Sequence, residues 1–86
     1  MTEHIDKQAI LHNICYTELV YDRINKKLNT ILPKYEIEAL IVGLIDQTEV
    51  NRFQKTGKNF YISNTQQNIR ITINSNTFRV ITVDRI

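Results

Sequence analysis

The stretch Asn68-Ile69-Arg70-Ile71-Thr72-Ile73-Asn74, followed after Ser75-Asn76 by Thr77-Phe78-Arg79-Val80-Ile81-Thr82-Val83, alternates apolar and polar side chains on both sides of a short turn signal. A period of two is the mark of a half-buried strand, and two such runs in succession predict a β-hairpin. With Ser75-Asn76 as a two-residue loop, Asn74 opposes Thr77, Ile73 opposes Phe78, Ile71 opposes Val80 and Ile69 opposes Thr82. Those pairs are expected to face a core. The opposite face then carries Arg70, Thr72, Arg79, Ile81 and Val83, half basic and half apolar, which is more hydrophobic than a face meant only for water. The N-terminal helix, a second copy of the chain or another partner would cover it.

Working upstream, Arg52-Phe53-Gln54-Lys55 and Asn59-Phe60-Tyr61-Ile62-Ser63 flank Thr56-Gly57-Lys58, where Gly57 can take positive φ. This is a first hairpin, with Phe60 and Ile62 on the core face and Tyr61 on the other. Before Glu49 the period lengthens to that of a helix. Ile37, Leu40, Ile41, Leu44 and Ile45 fall at i, i+3, i+4, i+7 and i+8, with Pro33 at the first helical position, predicting a helix from about Pro33 to Gln47. Leu19, Val20, Ile24 and Leu28 repeat at helical spacing from a Thr17 N-cap to about Asn29, with Asp22 four residues before Lys26. Ile5, Ala9, Ile10 and Ile14 fit a shorter first helix, separate from the second or running into it through Cys15-Tyr16.

The expected fold is therefore α+β: two or three N-terminal helices packed on one face of a C-terminal antiparallel meander of about four strands. The 86 residues have room for one domain, helical over about 3–48 and β over about 51–86. Hydrophobic residues at 42% and charged ones at 23% place the chain in the globular class and away from disorder. One cysteine, Cys15, permits no internal disulfide. The opening Met1-Thr2-Glu3-His4 has no secretory pattern, and the apolar run Ala39–Ile45 is too short to span a bilayer. These features point to a cytoplasmic protein with no membrane segment.

Charge is unevenly spread. Residues 1–49 hold five basic and eight acidic groups, and residues 50–86 hold six basic groups against Asp84, giving −3 and +5. A basic half suits nucleic acid or an acidic protein, and equally suits a solvated sheet balanced by its own helices. Catalytic patterns fail. His12 and Cys15 are too few for a zinc site, and Cys15 reads as a small buried hydrophobe. Glu36 and Glu38 point in different directions on a helix, and Gly57-Lys58-Asn59 lacks phosphate-loop spacing. No cofactor or metal is expected.

Ile14-Cys15-Tyr16-Thr17-Glu18-Leu19-Val20-Tyr21-Asp22-Arg23-Ile24-Asn25-Lys26-Lys27-Leu28, Phe53-Gln54-Lys55-Thr56-Gly57-Lys58-Asn59 and the run from Asn68 through Arg85 resemble a group of short bacterial proteins catalogued only as a domain of unknown function. The resemblance spans the chain from about Ile10 onward and brings no activity, cofactor or catalytic residue. It implies an intracellular bacterial or phage-borne protein. By analogy alone, small site-poor proteins of this kind include adaptors and inhibitors, among them phage proteins that block host defence complexes.

The leading expectation is a non-enzymatic protein that binds a protein partner through Arg70, Arg79, Ile81 and Tyr61 on the exposed sheet face. The alternative is binding of RNA or DNA through Arg52, Lys55, Lys58, Arg70 and Arg79, recognisable by a steep salt dependence. A third class, a small-ligand-binding protein or sponge, needs a pocket, which a homodimer could supply at its interface.

Overall fold

A computed structural model describes residues 5–86. The start of the expected helical part, residues 3 and 4, lies outside the described residues. Helices α1 (Lys7–Asn13), α2 (Glu18–Leu28) and α3 (Lys34–Gln47) precede a short 3₁₀ turn (Val50–Arg52) and strands β1 (Phe53–Thr56), β2 (Asn59–Asn64), β3 (Ile69–Asn74) and β4 (Val80–Arg85). The strands form one antiparallel sheet in the order β1-β2-β3-β4. This is the α+β meander that the alternating and helical periods predict.

The helix boundaries have identifiable causes, most of them local. Asp6 caps α1 by accepting from the Ala9 N–H at 3.2 Å. Cys15 then leaves helical geometry to form a parallel bridge with Arg79, so α1 and α2 are separate. Thr17 takes the N-cap position of α2, and Asn29 ends it in the left-handed conformation that asparagine tolerates, at φ 57°. The Asn25 side chain holds the next loop, accepting from Thr30 Oγ1 at 2.8 Å and the Leu32 N–H at 2.9 Å and donating to the Leu32 carbonyl at 3.0 Å. With the loop's polar groups met by Asn25, Ile31 is left on the outside, 99% exposed. Pro33 is the N-cap of α3, one position earlier than expected. The Asp22–Lys26 pair does not close: among the described residues the ion pairs are Lys27–Asp84 and Lys34–Glu18.

The core is a row across the sheet, Phe53–Ile62–Ile71–Val83, with Phe60–Ile73–Val80 beside it. Ile10, Val20, Ile24, Ile37, Ile41 and Leu44 from the helices close over these residues in one cluster. Burying a side chain of this size contributes about 1.5–3 kcal/mol relative to leaving it exposed, so the row is the energetic centre of the fold.

The last hairpin differs from the expected register. Asn74 closes the loop by accepting from the Asn76 and Thr77 N–H groups at 2.8 and 2.9 Å, and the Phe78 N–H returns to the Asn74 carbonyl at 2.9 Å. The turn is thus wider than two residues, with Phe78 at φ 60° at its end, packed against Phe60. Ile73 opposes Val80, but Thr72 opposes Thr82 and Ile71 opposes Val83, because the ladder shifts by one residue between them. A one-residue bulge turns every later side chain to the other face. Val83, expected on the open face, is fully buried, and Thr82 takes its place outside. The first hairpin has the expected faces, with a two-residue turn and Gly57 at φ 61°.

Candidate protein-binding groove

The bridge between Cys15 and Arg79 lays the α1–α2 linker along the start of β4: the Cys15 N–H donates to the Phe78 carbonyl at 3.0 Å and the Val80 N–H to the Cys15 carbonyl at 2.9 Å. Further along, α2 guards the outer edge of β4. Arg23 Nη1 donates to the Ile81 carbonyl at 3.2 Å, Lys27 pairs with Asp84 at 2.8 Å, and Arg85 Nη2 donates to the Leu28 carbonyl at 2.6 Å. An edge strand covered in this way is closed to pairing with another chain.

Between the first turn of α2 and the start of β4 lies a groove of about 180 Å³, lined by Thr17, Leu19, Val20, Arg23, Arg79, Val80 and Ile81. Leu19 was expected in the buried stripe of α2. That stripe is Val20, Ile24 and Leu28, and Leu19, one residue round the helix from Val20, is 76% exposed. Arg23 follows it one turn later on the same side. Arg79 is exposed, and its guanidinium has no hydrogen-bond or ion-pair partner among the described residues. No carboxylate among the described residues lines the groove. The site therefore combines an exposed leucine, a half-buried isoleucine and two arginines.

Arg79 and Ile81, two of the four residues expected to act together, are brought into this groove; Arg70 and Tyr61 are not. Tyr61 is half-buried on the open sheet face, where its hydroxyl accepts from Asn59 Nδ2 at 3.4 Å. Arg70 Nε donates to Ser63 Oγ at 3.2 Å, and its cross-strand neighbour is Asp84. With Thr72, Thr82, Ser63 and Asn59 around them, this face is polar rather than half apolar, a direct consequence of the bulge. The basic residues of the nucleic-acid alternative are dispersed. Arg52 borders a polar hollow with Thr48, Glu49 and Asn64, and Lys58 occupies the turn at the far end of β1, roughly 13 Å of strand away. Lys55 lines a different hollow, with Asp6 and Phe60. Cys15, expected inside, is exposed, and its backbone rather than its thiol organises the site. Arg23 escaped the sequence reading because only a tertiary contact distinguishes it from any solvent-facing arginine on a helix.

A family model described as Protein of unknown function (DUF3781) matches residues 8–84, from the second residue of α1 to the penultimate residue of β4. The chain belongs to that family. Nothing matches it among curated proteins or among solved structures. The match takes in every residue lining the groove of this DUF3781 member.

Behind the groove, two tyrosines fix the start of α2 against α3. The Tyr16 and Tyr21 rings stack at 5.6 Å, Tyr21 donates to Glu38 Oε2 at 2.8 Å, and Lys34 Nζ sits 5.2 Å over the Tyr21 ring while pairing with Glu18. The Tyr16 hydroxyl is buried with no hydrogen-bond partner among the described residues. Burial, with the Glu38 carboxylate nearby, raises the Tyr16 pKa well above the ordinary tyrosine value. Desolvation and the hydrogen bond to Glu38 push Tyr21 from 10.0 up to about 12. In this DUF3781 protein the folded chain thus holds more protons than the unfolded one above pH 10, so stability is full below about pH 10 and falls as the pH rises to about 12. Urea midpoints measured across that window are expected to drop, and Tyr21→Phe to lessen the drop, the remainder coming from Tyr16. At pH 7, Tyr21→Phe costs about 1 kcal/mol through the lost bond, whereas Tyr16→Phe is neutral or stabilising because it removes an unpaired buried hydroxyl. A stable plateau through pH 12 in the wild-type protein would contradict this account.

Proposed function

We propose that this protein is a non-enzymatic binding protein of the adaptor or inhibitor kind, which engages a protein partner through the α2–β4 groove. The observation that carries the reading is the unpartnered Arg79 guanidinium beside the exposed Leu19, with Arg23 adjacent and no carboxylate in the lining. Charge complementarity selects the partner chemistry: a segment that sets an aspartate or glutamate next to an apolar side chain. Its apolar group covers Leu19 and Ile81, and its carboxylate meets Arg79. A guanidinium that is unpaired in the unbound protein gives up no internal ion pair when the partner arrives. A cytoplasmic setting belongs to the same proposal and rests on the single unpaired thiol, Cys15. Among the described residues, no helix is long and apolar enough to cross a membrane.

A displayed random-peptide library selected on the immobilised protein tests this reading. The expected consensus has a carboxylate one or two residues from Leu, Ile or Phe. Arg79→Glu is expected to weaken the selected peptides at least about tenfold, or about 1.4 kcal/mol. Peptides without acidic residues, or peptides that bind Arg79→Glu as well as the wild type, would overturn it. A labelled single-stranded oligonucleotide titrated at rising salt checks the alternative. Affinity that falls steeply with salt would favour nucleic acid, against which stands the separation of Arg52, Lys58 and Arg79 over the surface.

A further inference from the structure

The hollow that Arg52 borders has a volume of about 170 Å³ and walls from two distant parts of the chain. One wall is the link from α3 to β1, and the other is the turn between β2 and β3. Thr48 and Asn64, 3% and 4% exposed, join the walls through the 3.0 Å bond from Asn64 Nδ2 to Thr48 Oγ1. These buried groups keep bonding capacity in reserve. Asn64 Nδ2 has two hydrogens and makes one bond, and Asn64 Oδ1 accepts only from the Gln67 N–H among the described residues. Glu49 and Arg52 line the same hollow at either end of the 3₁₀ turn, where the Arg52 N–H donates to the Glu49 carbonyl at 2.9 Å. Their side chains form no ion pair with each other or with any other described residue. Two opposite, uncompensated charges thus border one hollow, and its lining contains no aliphatic or aromatic side chain.

A simple anion placed here is attracted by Arg52 and repelled by Glu49, and a simple cation meets the reverse. A molecule that carries both charges a few ångströms apart satisfies both residues. We infer that the hollow is a binding site for a small zwitterion, of the class of free polar α-amino acids. Its carboxylate meets the Arg52 guanidinium and the second Asn64 N–H, and its ammonium group meets Glu49 and the side-chain oxygens of Gln47 and Gln66. Size and lining set the class. The volume is below the roughly 300 Å³ at which sites for drug-sized ligands begin. With no apolar side chain in the lining, a leucine or phenylalanine side chain gains nothing by burial there. A ligand held by both walls ties the α3–β1 link to the β2–β3 turn, so binding stabilises the folded chain. This hollow shares no lining residue with the α2–β4 groove, and the inference goes beyond the binding reading without depending on it.

Titration calorimetry and thermal melts with glycine, serine and asparagine test the inference, at about pH 6 so that every amine is protonated. Serine is expected to bind with a Kd between about 10 μM and 1 mM and to raise the melting temperature as its concentration rises. Serinamide keeps the ammonium group without the carboxylate, and glycerate keeps the carboxylate without the ammonium group. Each is expected to bind at least about tenfold more weakly than serine. Arg52→Gln should abolish the preference for serine over serinamide, and Glu49→Gln the preference for serine over glycerate. Both residues are exposed, so the melts of the two variants without ligand should match that of the wild type. Neither heat nor a melting shift with any of the three amino acids at about 10 mM would overturn the proposal. So would equal affinity for serine and glycerate, or variants that keep both preferences.

Discussion

Val83→Asn is expected to lower the stability by about 4 kcal/mol, whereas Thr82→Asn, one residue earlier in the same strand, costs less than about 1 kcal/mol. Val83 is fully buried in the row Phe53–Ile62–Ile71–Val83, and an amide there loses apolar contacts and meets no hydrogen-bond partner. Those two losses are roughly 1–2 and 2–3 kcal/mol. A domain of this size has a total stability of roughly 4–13 kcal/mol, so the substitution removes about a third to all of it. Thr82 is half-buried across from Thr72 on the open face, where asparagine loses strand preference and the long 3.2 Å hydroxyl bond to the Val83 carbonyl. Urea unfolding followed by circular dichroism measures both variants. The reverse order of costs would mean that β4 follows the two-residue-loop register, and the one-residue shift would be refuted.

The second large effect concerns the join between the end of α3 and the β2–β3 turn. Thr48 and Asn64 are buried polar residues that satisfy each other: Thr48 Oγ1 donates to the Leu44 carbonyl at 2.6 Å and accepts from Asn64 Nδ2 at 3.0 Å. Asn64 Oδ1 accepts in turn from the Gln67 N–H at 2.8 Å. Thr48→Val leaves the Asn64 amide without an acceptor, at a cost of about 2–3 kcal/mol; Asn64→Leu, which deprives the Gln67 N–H, costs about 2 kcal/mol. Replacing both removes the unpaired Asn64 amide that Thr48→Val alone creates, while the Gln67 N–H stays without Asn64 in either case. The double variant is therefore expected to cost about 1–2 kcal/mol less than the sum of the singles. Additivity to within about 0.5 kcal/mol would show that the two side chains are not coupled.

Much of this architecture follows from local chemistry that the chain carries in its own order. The apolar spacing of α3, the Thr17 and Asn29 ends of α2, the Gly57 turn and the alternation in β1 to β3 are set by interactions among residues close in sequence, so they are legible without the fold. The candidate site was legible only in part. Arg79 and Ile81 stood out by composition, but the residues that complete their surroundings, Leu19 and Arg23, lie more than fifty positions away and arrive through the Cys15–Arg79 bridge and the Arg23–Ile81 contact. Tertiary structure alone decided which face of β4 is buried. Alternation tells which residues share a face but not where a bulge reverses it, and that reversal depends on Asn74 capping a wider turn while Val83 reaches the core row. The same limit explains Leu19. Helical spacing admits either Leu19 or its neighbour Val20 to the inward stripe, and the angle at which α2 meets β4 chose Val20, leaving the leucine in solvent beside two arginines.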